Sequence, residues 1–577
     1  MTLAGAWTLL LIVNTLAGLP VIALFGRSLP ASIRLALLPV LGTAVTTVLL
    51  FFAHLVFPLR AMVPWLPLVA AAAGLLFVLR FRLRAFPAVV VVSLTLMLSA
   101  LLLAPFAAVG GPAGFGILNN DNFYWAMADW RVETASRFTP STDAFQPLPD
   151  LGRFRRWGVN NLSTFLRSVV ALRPYEAVQI TTAFGVLLTG LSVWVLARFS
   201  RLHWIAAALA AVAAVGNHFV QRLLLDGFLG WCFGLSFAVA ALALLMHRKN
   251  SWRQGVLAGV AAAALIAAYY DMLPVFSILA AAGLSLRWQR LPFDTLLGAL
   301  VVAAPVALIV TPDLLQLIKY ASGERSGLPY FRLSDPVTTV LHLTGAADFY
   351  QYVFQKYGAE PWQYICAGCV LLCLALCARW KAAVTLPVVA AAALAAAFLL
   401  RGQEYQAHRL AATSWTILPV VLFGGARHKL RLALVAVTAV LLVVPLVRLT
   451  GLLRASPVLA AGPEREVGSK WLRQMPPDGQ VLIDVPDNTE IHFGHWLYME
   501  AVQFFGVDDR RVVMPRVELA YQAPVTPPLN RINLAGVTHV LRSHRPGRVQ
   551  LDEELIAQNS KYRFYRVRRL ATNSARP

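Results

Sequence analysis

The sequence predicts an α-helical polytopic membrane protein of about 12–14 transmembrane helices, followed by a small α/β domain. Apolar stretches near the 20 or so residues needed to cross a bilayer recur along the first 450 residues. Hydrophobic residues make up 58% of the chain and charged residues only 14%, below the roughly 25% of soluble proteins. Beyond about residue 455 charges of both signs return, so the predicted domains are 1–454 and 455–577.

The candidate spanning segments follow from hydrophobic length alone. The weakest of them are the segments at 203–219 and 272–286. In chain order they run near 3–25, 33–57, 62–79, 86–109, 175–197, 203–219, 227–246, 253–270, 272–286, 293–311, 363–378, 382–400, 409–425 and 431–453.

The connections between these segments alternate in charge. Basic runs such as RFRLR at 80–84, RFSR at 198–201 and ARHKLR at 426–431 fall in every second connection. The positive-inside rule assigns those connections to the cytoplasm. The polar connections at 110–174, 312–362 and 401–409 are then external, as are both chain ends. The net charge of +22 comes largely from basic residues in short loops, which set the orientation of the chain in the membrane and do not indicate nucleic-acid binding. A positive charge also suits a substrate that carries phosphate.

The region after residue 455 has the pattern of an α/β domain. GQVLIDVP is typical of a buried strand, and RRVVMP and THVLRSH are further strand-like runs. KYRFYRVRRL alternates as an edge strand would. Because no Gly-rich phosphate loop follows any of these strands, nucleotide binding by this domain is poorly supported.

The first external loop contains GILNNDNFYWAMADWRVETASRF. Apolar residues at i, i+3, i+4 and i+7 from Phe123 predict an amphipathic helix along the membrane surface, capped by Asn120 or Asp121. Asp129 follows Asp121 two turns later. Asp121 is either a simple cap or a carboxylate that removes a proton from an acceptor hydroxyl or amine.

A second acidic candidate is Asp271, in LIAAYYDMLP at the outer end of a membrane segment. A carboxylate at that depth is costly unless it faces water or a partner, so it is a functional candidate. The alternative is a short turn at Met272–Pro274 that exposes it harmlessly. Tyr270 beside it either lines a sugar-binding pocket or belongs to the interfacial aromatic belt.

The short connection RGQEYQAHR at 401–409 is dense in polar residues. If it is helical, its acidic residue and its histidine lie at i and i+4. Such a cluster would neutralise the negative charge of a departing phosphate. The alternative is a loop that only connects two membrane segments. Its candidate substrate-binding residues are Arg401, Glu404, Tyr405, His408 and Arg409, to which Tyr270 and Asp129 are added.

Several catalytic motifs are absent from the sequence. It has no P-loop, no HExxH, no GxSxG elbow, no DxD pair and no Rossmann fingerprint in a strand–turn–helix context. These absences count against ATP-driven transport and against soluble-type transfer from a nucleotide sugar. No metal site is assigned; the sequence names no cofactor and leaves a divalent cation open.

Many membrane segments, an acidic residue in a long external loop and a C-terminal α/β domain together resemble the GT-C superfamily of membrane glycosyltransferases. LAGVTHVLRSH followed by YRFYRVRR is similar to the ending of bacterial members related to aminoarabinose transferases and protein mannosyltransferases. The resemblance implies a polyprenyl-phosphate sugar donor, Asp121 as the base, and Arg401, His408 and Arg409 as residues that hold the donor phosphate.

The resulting hypothesis is a bacterial inner-membrane glycosyltransferase, of inverting type, acting at the periplasmic face. It would move a sugar from a polyprenyl-phosphate carrier to an envelope glycan, lipid or protein, with Asp121 and Asp271 as catalytic residues. The alternatives are an O-antigen polymerase or ligase, a transporter or flippase of lipid-linked sugars, and a scaffold without catalysis.

Overall fold

The computed structural model describes most of the helical region and the core of the C-terminal sheet. The described residues are 3–62, 65–78, 85–109, 125, 128–129, 132–133, 158, 160–170, 172, 174–225, 227–247, 251–285, 292–323, 340–341, 344, 346, 360–377, 384–400, 404–425, 429–454, 468, 470–472, 474–484, 511–513, 534, 536–544, 551–560 and 562–569.

Up to residue 454 the regular elements of the described chain are helical. Three short 3-10 turns interrupt them, at Leu59–Ala61, Tyr270–Met272 and Phe423–Gly425. The helices are α1 Leu3–Phe25, α2 Ala31–Val56, α3 Trp65–Val78, α4 Ala85–Ala108, α5 Asn160–Val169, α6 Pro174–Phe199, α7 Trp204–Gly216, α8 His218–Leu225, α9 Leu229–Leu245, α10 Trp252–Tyr269, α11 Leu273–Ser285, α12 Phe293–Gly323, α13 Pro361–Cys377, α14 Thr385–Leu400, α15 Glu404–Leu422 and α16 Lys429–Arg454.

Each predicted spanning segment corresponds to one of these helices, which confirms the fold class. Two boundaries differ from the prediction by more than a few residues. Helix α12 continues past residue 311 to Gly323, and α15 already begins at Glu404, within the predicted connection. Six stretches of the described chain are long and apolar enough to cross a membrane: Leu3–Phe25, Ala31–Val56, Ala85–Ala108, Glu176–Phe199, Trp252–Ser285 and Phe293–Leu315.

The interior of the bundle is built around α6 and α9. The apolar window of α6 is fully buried, and every residue of α9 is buried. Small residues let neighbouring helices approach closely, as in α1 and α2, where a Cβ on Gly42 would lie 1.6 Å from the Asn14 carbonyl oxygen. Because lipid supplies little hydrophobic drive between helices, such close packing is a main source of their association.

Helices α10 and α11 form a hairpin that reverses at the 3-10 turn Tyr270–Met272. A Cβ on Gly234 of α9 would lie 2.6 Å from the Met272 sulfur, and one on Gly283 of α11 would lie 2.6 Å from the sulfur of Met246. Helix α11 therefore runs alongside α9 in the same direction, while α10 runs in the opposite one. The turn thus lies at one end of the bundle.

The C-terminal region forms a five-stranded sheet in the order β2-β1-β3-β5-β4. The first three of these strands are parallel and the last two are antiparallel additions. The strands are β1 Gln480–Asp484, β2 Val512–Val513, β3 Val537–Ser543, β4 Asp552–Gln558 and β5 Tyr562–Arg569.

The prediction that KYRFYRVRRL is an edge strand is wrong. Strand β5 is flanked by β3 and by β4, and β4 is the edge. The sequence of β4, DEELIAQ, was not recognised as a strand because its acidic residues mask the alternation, whereas an exposed edge tolerates such charges. The domain boundary at 454/455 stays a prediction.

Candidate functional site

The candidate site lies at the end of the bundle that carries the Tyr270–Met272 turn. We call this the site end and define it by Trp125, Asp129, Asn160 and the turn itself. The opposite end carries Ser251 and Thr295, whose groups hydrogen-bond to each other where α10 and α12 begin. Helix α10 spans the distance between the two ends.

Asp129 belongs to a short helical stretch of the first long loop, and its side chain is completely buried. Its Oδ1 accepts a hydrogen bond from Asn160 Nδ2 at 2.6 Å and another from Ser163 Oγ at 2.5 Å. The Asn160 amide also donates to the Trp125 carbonyl at 2.7 Å, so one side chain of α5 ties down a full turn of the loop stretch. Asp129 Oδ2 has no hydrogen-bond partner among the described residues.

Burial raises the pKa of Asp129 to about 8. The positive charge of Arg167 and the hydrogen bonds from Ser163 and Asn160 oppose this shift but are outweighed by it. Desolvation penalises the carboxylate form, so at neutral pH the group is mainly a neutral acid. A carboxyl with a pKa near working pH is suited to holding or exchanging a proton.

A charged pair lies next to this acid. Glu133, one turn after Asp129, forms an ion pair with Arg167 of α5 at 2.8 Å. Burial raises the pKa of Glu133, against the opposing charges of Arg167 and Arg60. Arg60 lies in the turn after α2. The electrostatic interactions of Glu133 therefore connect the loop stretch to α5 through Arg167 and to the end of α2 through Arg60.

Asp271 lies in the turn between α10 and α11 and is only 6% exposed. The alternative that the turn exposes it harmlessly is therefore wrong: the turn exists, but neighbouring helices cover it. Tyr270 is buried as well. A small pocket, with room for about one water molecule, lies beside the carboxyl and is lined by Trp231, Tyr269, Asp271, Met272, Val275 and Thr413.

An aromatic contact connects the two carboxyl groups. The rings of Trp125 and Tyr269 lie 6.5 Å apart, centroid to centroid. Trp125 precedes Asp129 by one helical turn, and Tyr269 precedes Asp271 by two residues. Gly230 of α9 makes room for both rings, since a Cβ there would lie 2.6 Å from each. The fold therefore brings Asp129 and Asp271, which are distant in sequence, to the same end of the bundle.

The polar cluster at 401–409 reaches this region through α15. Residues 404–409 form the first turns of the helix, so Glu404 and His408 are one turn apart in the backbone, as the helical interpretation predicted. Thr413, which lines the Asp271 pocket, follows His408 by five residues, or about 7.5 Å along the axis. The side chains of Glu404, Tyr405, His408 and Arg409 lie outside the description.

Asp121 and Arg401 lie outside the described residues, so their roles stay predictions. The sequence reasoning missed Asn160 and Ser163, the partners of Asp129. The spacing Asn160, Asn161, Ser163, Thr164 was a usable signal, since it repeats at helical intervals. An amphipathic pattern alone does not show whether the polar face of such a helix meets water or other residues of the protein.

Among the described residues no three His, Cys, Asp or Glu side chains are grouped so that they could hold a metal ion. The described polar groups at the site end are carboxyl, amide and hydroxyl groups, together with the Arg167 guanidinium. This set suits hydrogen bonding and proton exchange.

No protein-family model and no curated protein matches the sequence. Solved structures that are similar to it include the following two. One is ArnT from Cupriavidus metallidurans bound to undecaprenyl phosphate, at 12% identity and a TM-score of 0.48, over 82% of this chain and 97% of that chain. Another is the arabinofuranosyltransferase AftD from Mycobacteria, at 11% identity and a TM-score of 0.47, over 82% of this chain and 40% of that chain. Identities this low carry no residue's role from either protein to this one.

Proposed function

We propose that this protein is a membrane glycosyltransferase of the GT-C superfamily that takes its sugar from a polyprenyl-phosphate donor. The observation that carries the proposal is the convergence, at one end of an apolar helical bundle, of two buried carboxyl groups and the first turns of α15. Asp129 and Asp271 are linked there through Trp125 and Tyr269, beside a pocket that α15 also lines. Buried acids at membrane depth are costly and are a mark of function.

The chemistry is a single displacement with inversion. The acceptor hydroxyl or amine attacks the anomeric carbon, and the bond from that carbon to the phosphate oxygen breaks. Its electron pair leaves with the polyprenyl phosphate. Asp121 takes the acceptor proton, and Asp271 orients the acceptor. Arg401, His408 and Arg409 stabilise the charge that develops on the departing phosphate, in a site where exclusion of water strengthens each interaction.

The charge pattern of the connections supports a site that faces out of the cell. Basic connections mark the cytoplasmic side, so the site end faces outward and the acceptor is a glycan, lipid or protein of the cell envelope. In this proposal the protein resides in a bacterial inner membrane, and the C-terminal sheet lies in the periplasm.

The test uses membranes that contain the full chain and a radiolabelled polyprenyl-phosphate sugar. We expect Asp121→Asn to abolish formation of a new glycosidic bond, since a base contributes about 10²–10⁴-fold to rate. Asp294→Asn, an acid in the first turn of α12 at the opposite end, is the matched control and should retain activity.

One result would contradict the assigned base, and another would contradict the proposed function. Unchanged transfer by Asp121→Asn would remove the assigned base. Movement of lipid-linked sugar across vesicles by the wild-type chain, with no new glycosidic bond, would instead identify a flippase.

A further inference from the structure

One face of α5 carries buried polar atoms that the interactions of Asp129 do not account for. Asn160, Asn161 and Thr164 lie within about 100° of arc on this helix, because residues three and four apart are neighbours. Asn160 and Asn161 are fully buried, and Thr164 is 1% exposed.

Four atoms on this face have no hydrogen-bond partner within the described part of the chain. They are Asn160 Oδ1, Asn161 Oδ1, Asn161 Nδ2 and Thr164 Oγ1. Asp129 Oδ2, at the edge of the same face, is a fifth. Buried polar groups are almost always paired in native proteins, and each exception needs an explanation. Four such atoms in a helix of ten residues, with a fifth on the adjacent loop stretch, indicate a ligand.

The chemistry of these atoms restricts the ligand. The face offers acceptors in the two amide oxygens, a donor in the Asn161 amide, and both functions in the threonine hydroxyl. An anion would be repelled by the amide oxygens, and an acyl chain would leave every polar atom unpaired. A group of adjacent hydroxyls, each of which donates and accepts, satisfies the set.

We propose that this face of α5, with Asp129 at its edge, is a subsite that binds the hydroxyl groups of a sugar. Here "the α5 subsite" means Asp129, Asn160, Asn161 and Thr164. The inference rests on the proposed function, because the sugar belongs to the lipid-linked donor or to the glycan acceptor. Both sources present the same hydroxyl chemistry.

The position of the subsite supports this assignment. Asn160 binds the carbonyl of Trp125, whose ring contacts Tyr269 beside the Asp271 pocket. A Cβ on Gly158, just before α5, would lie 1.9 Å from the Ala267 carbonyl oxygen, so α5 begins against the last turns of α10. The subsite is thus anchored to the helix that leads into the Asp271 turn.

The test measures how much a sugar adds to binding by the purified full chain in detergent. The lipid probes are farnesyl phosphate and farnesyl phosphate carrying glucose, mannose, galactose or arabinose. Methyl glycosides of the same four sugars represent the acceptor. We expect at least one sugar probe to bind wild type, and Asn161→Leu and Thr164→Val to weaken it by about tenfold, as expected for one or two lost hydrogen bonds.

The matched control is Thr182→Val in α6. Its hydroxyl is also buried but already donates to the Val178 carbonyl at 2.7 Å. The increase in binding affinity that the sugar provides should therefore be unchanged in this variant. Thr164→Val removes only a hydroxyl and keeps the test available if Asn161→Leu fails to fold. A loss confined to the lipid-linked probes identifies the donor sugar, and a loss confined to the glycosides identifies the acceptor.

Two further outcomes overturn the proposal in distinguishable ways. Suppose that wild type binds the sugar probes and transfers sugar, but that the sugar adds as much affinity in both variants as in wild type. The α5 face then holds water only, and the proposed function stands. If wild type binds neither lipid phosphates nor glycosides, the proposed function fails and the subsite fails with it.

Discussion

Two buried aspartates, one at the site end and one in the C-terminal sheet, are held in different ways. Asp484 ends β1 and is 1% exposed, and Arg542 of β3 faces it at 3.5 Å while also pairing with Glu553 of β4. Asp129 is equally buried, and within the described part of the chain it accepts hydrogen bonds from a neutral amide and a hydroxyl. An ion pair between strands stabilises a fixed structure. A carboxyl held by neutral donors keeps a proton that it can exchange.

The comparison separates carboxyl groups that serve stability from those that serve chemistry. We expect Asp271 to fall in the second class, because it borders a pocket in a turn between two helices. Substituting a carboxyl group of the first class, or its partner, should reduce stability and leave the rate of sugar transfer unchanged. Substituting one of the second class should reduce the rate and leave stability unchanged.

The largest effect is expected from Asp271→Asn. The substitution keeps the size of the side chain and removes its charge, so transfer should fall by about 10²–10⁴-fold while the melting temperature changes little. The measurement is the initial rate of sugar transfer beside thermal denaturation of the same preparation. A rate within a factor of two of wild type would place Asp271 among the structural acids.

The next effect concerns the sheet. Arg542→Ala should reduce the free energy of unfolding of the sheet by about 3–5 kcal/mol, because it leaves the buried Asp484 without its cation. Hydrogen exchange of the β1 and β3 amides in the full chain measures the loss.

The control for that substitution is Arg568→Ala. Arg568 pairs with Glu554 at the same 3.5 Å, but the two side chains are 59% and 48% exposed. Exposed pairs contribute about 0–1 kcal/mol, so exchange should barely change. Equal losses in the two variants would show that burial does not decide the strength of these pairs.

These contrasts also explain what the sequence could predict. Hydrophobic length located the spanning helices to within a few residues in most cases, because a bilayer demands an apolar stretch whatever the helix contacts. Asp271 was found because acids are rare at membrane depth, and Asp129 because it follows Asp121 by two turns on the predicted amphipathic helix. Asn160 and Ser163 were missed because the direction in which an amphipathic helix faces depends on tertiary contacts. The position of β5 was missed because strand order depends on pairing between distant segments.

A smaller effect tests the contact that joins the two acids of the site end. Gly230→Ala would place a Cβ 2.6 Å from the rings of both Trp125 and Tyr269, so the rings must move apart. Overpacking of this kind costs about 1–3 kcal/mol, and transfer should slow as the loop stretch shifts away from the turn.

Gly368→Ala is the matched control, because a Cβ on this glycine of α13 meets nothing within 4 Å. Alanine is the better helix former, so this variant should be as stable as wild type or up to about 1 kcal/mol more stable. If Gly230→Ala transfers sugar at the wild-type rate, the contact between Trp125 and Tyr269 does not position the site.

The smallest effect on the melting temperature at neutral pH is expected from Asp129→Asn. An asparagine keeps an oxygen that accepts the bonds from Asn160 and Ser163, and its amide replaces the neutral acid. The difference appears with pH. The pKa of Asp129 is raised from 3.8 to about 8 in the folded protein, so between these values the folded state binds more protons than the unfolded one. Wild-type stability should therefore fall as pH rises through this window and level off above about 8.

Asp129→Asn removes this contribution. As pH rises from 5 to 8, the melting temperature of the variant should therefore rise relative to that of wild type. Glu133, whose pKa is also raised, and Arg167 remain in both proteins, so only the difference between the two curves reports on Asp129. Parallel curves across this range would mean that Asp129 is ionised in the fold. Asp129 would then belong with Asp484 as a charged structural group, and the distinction between the two regions would not hold.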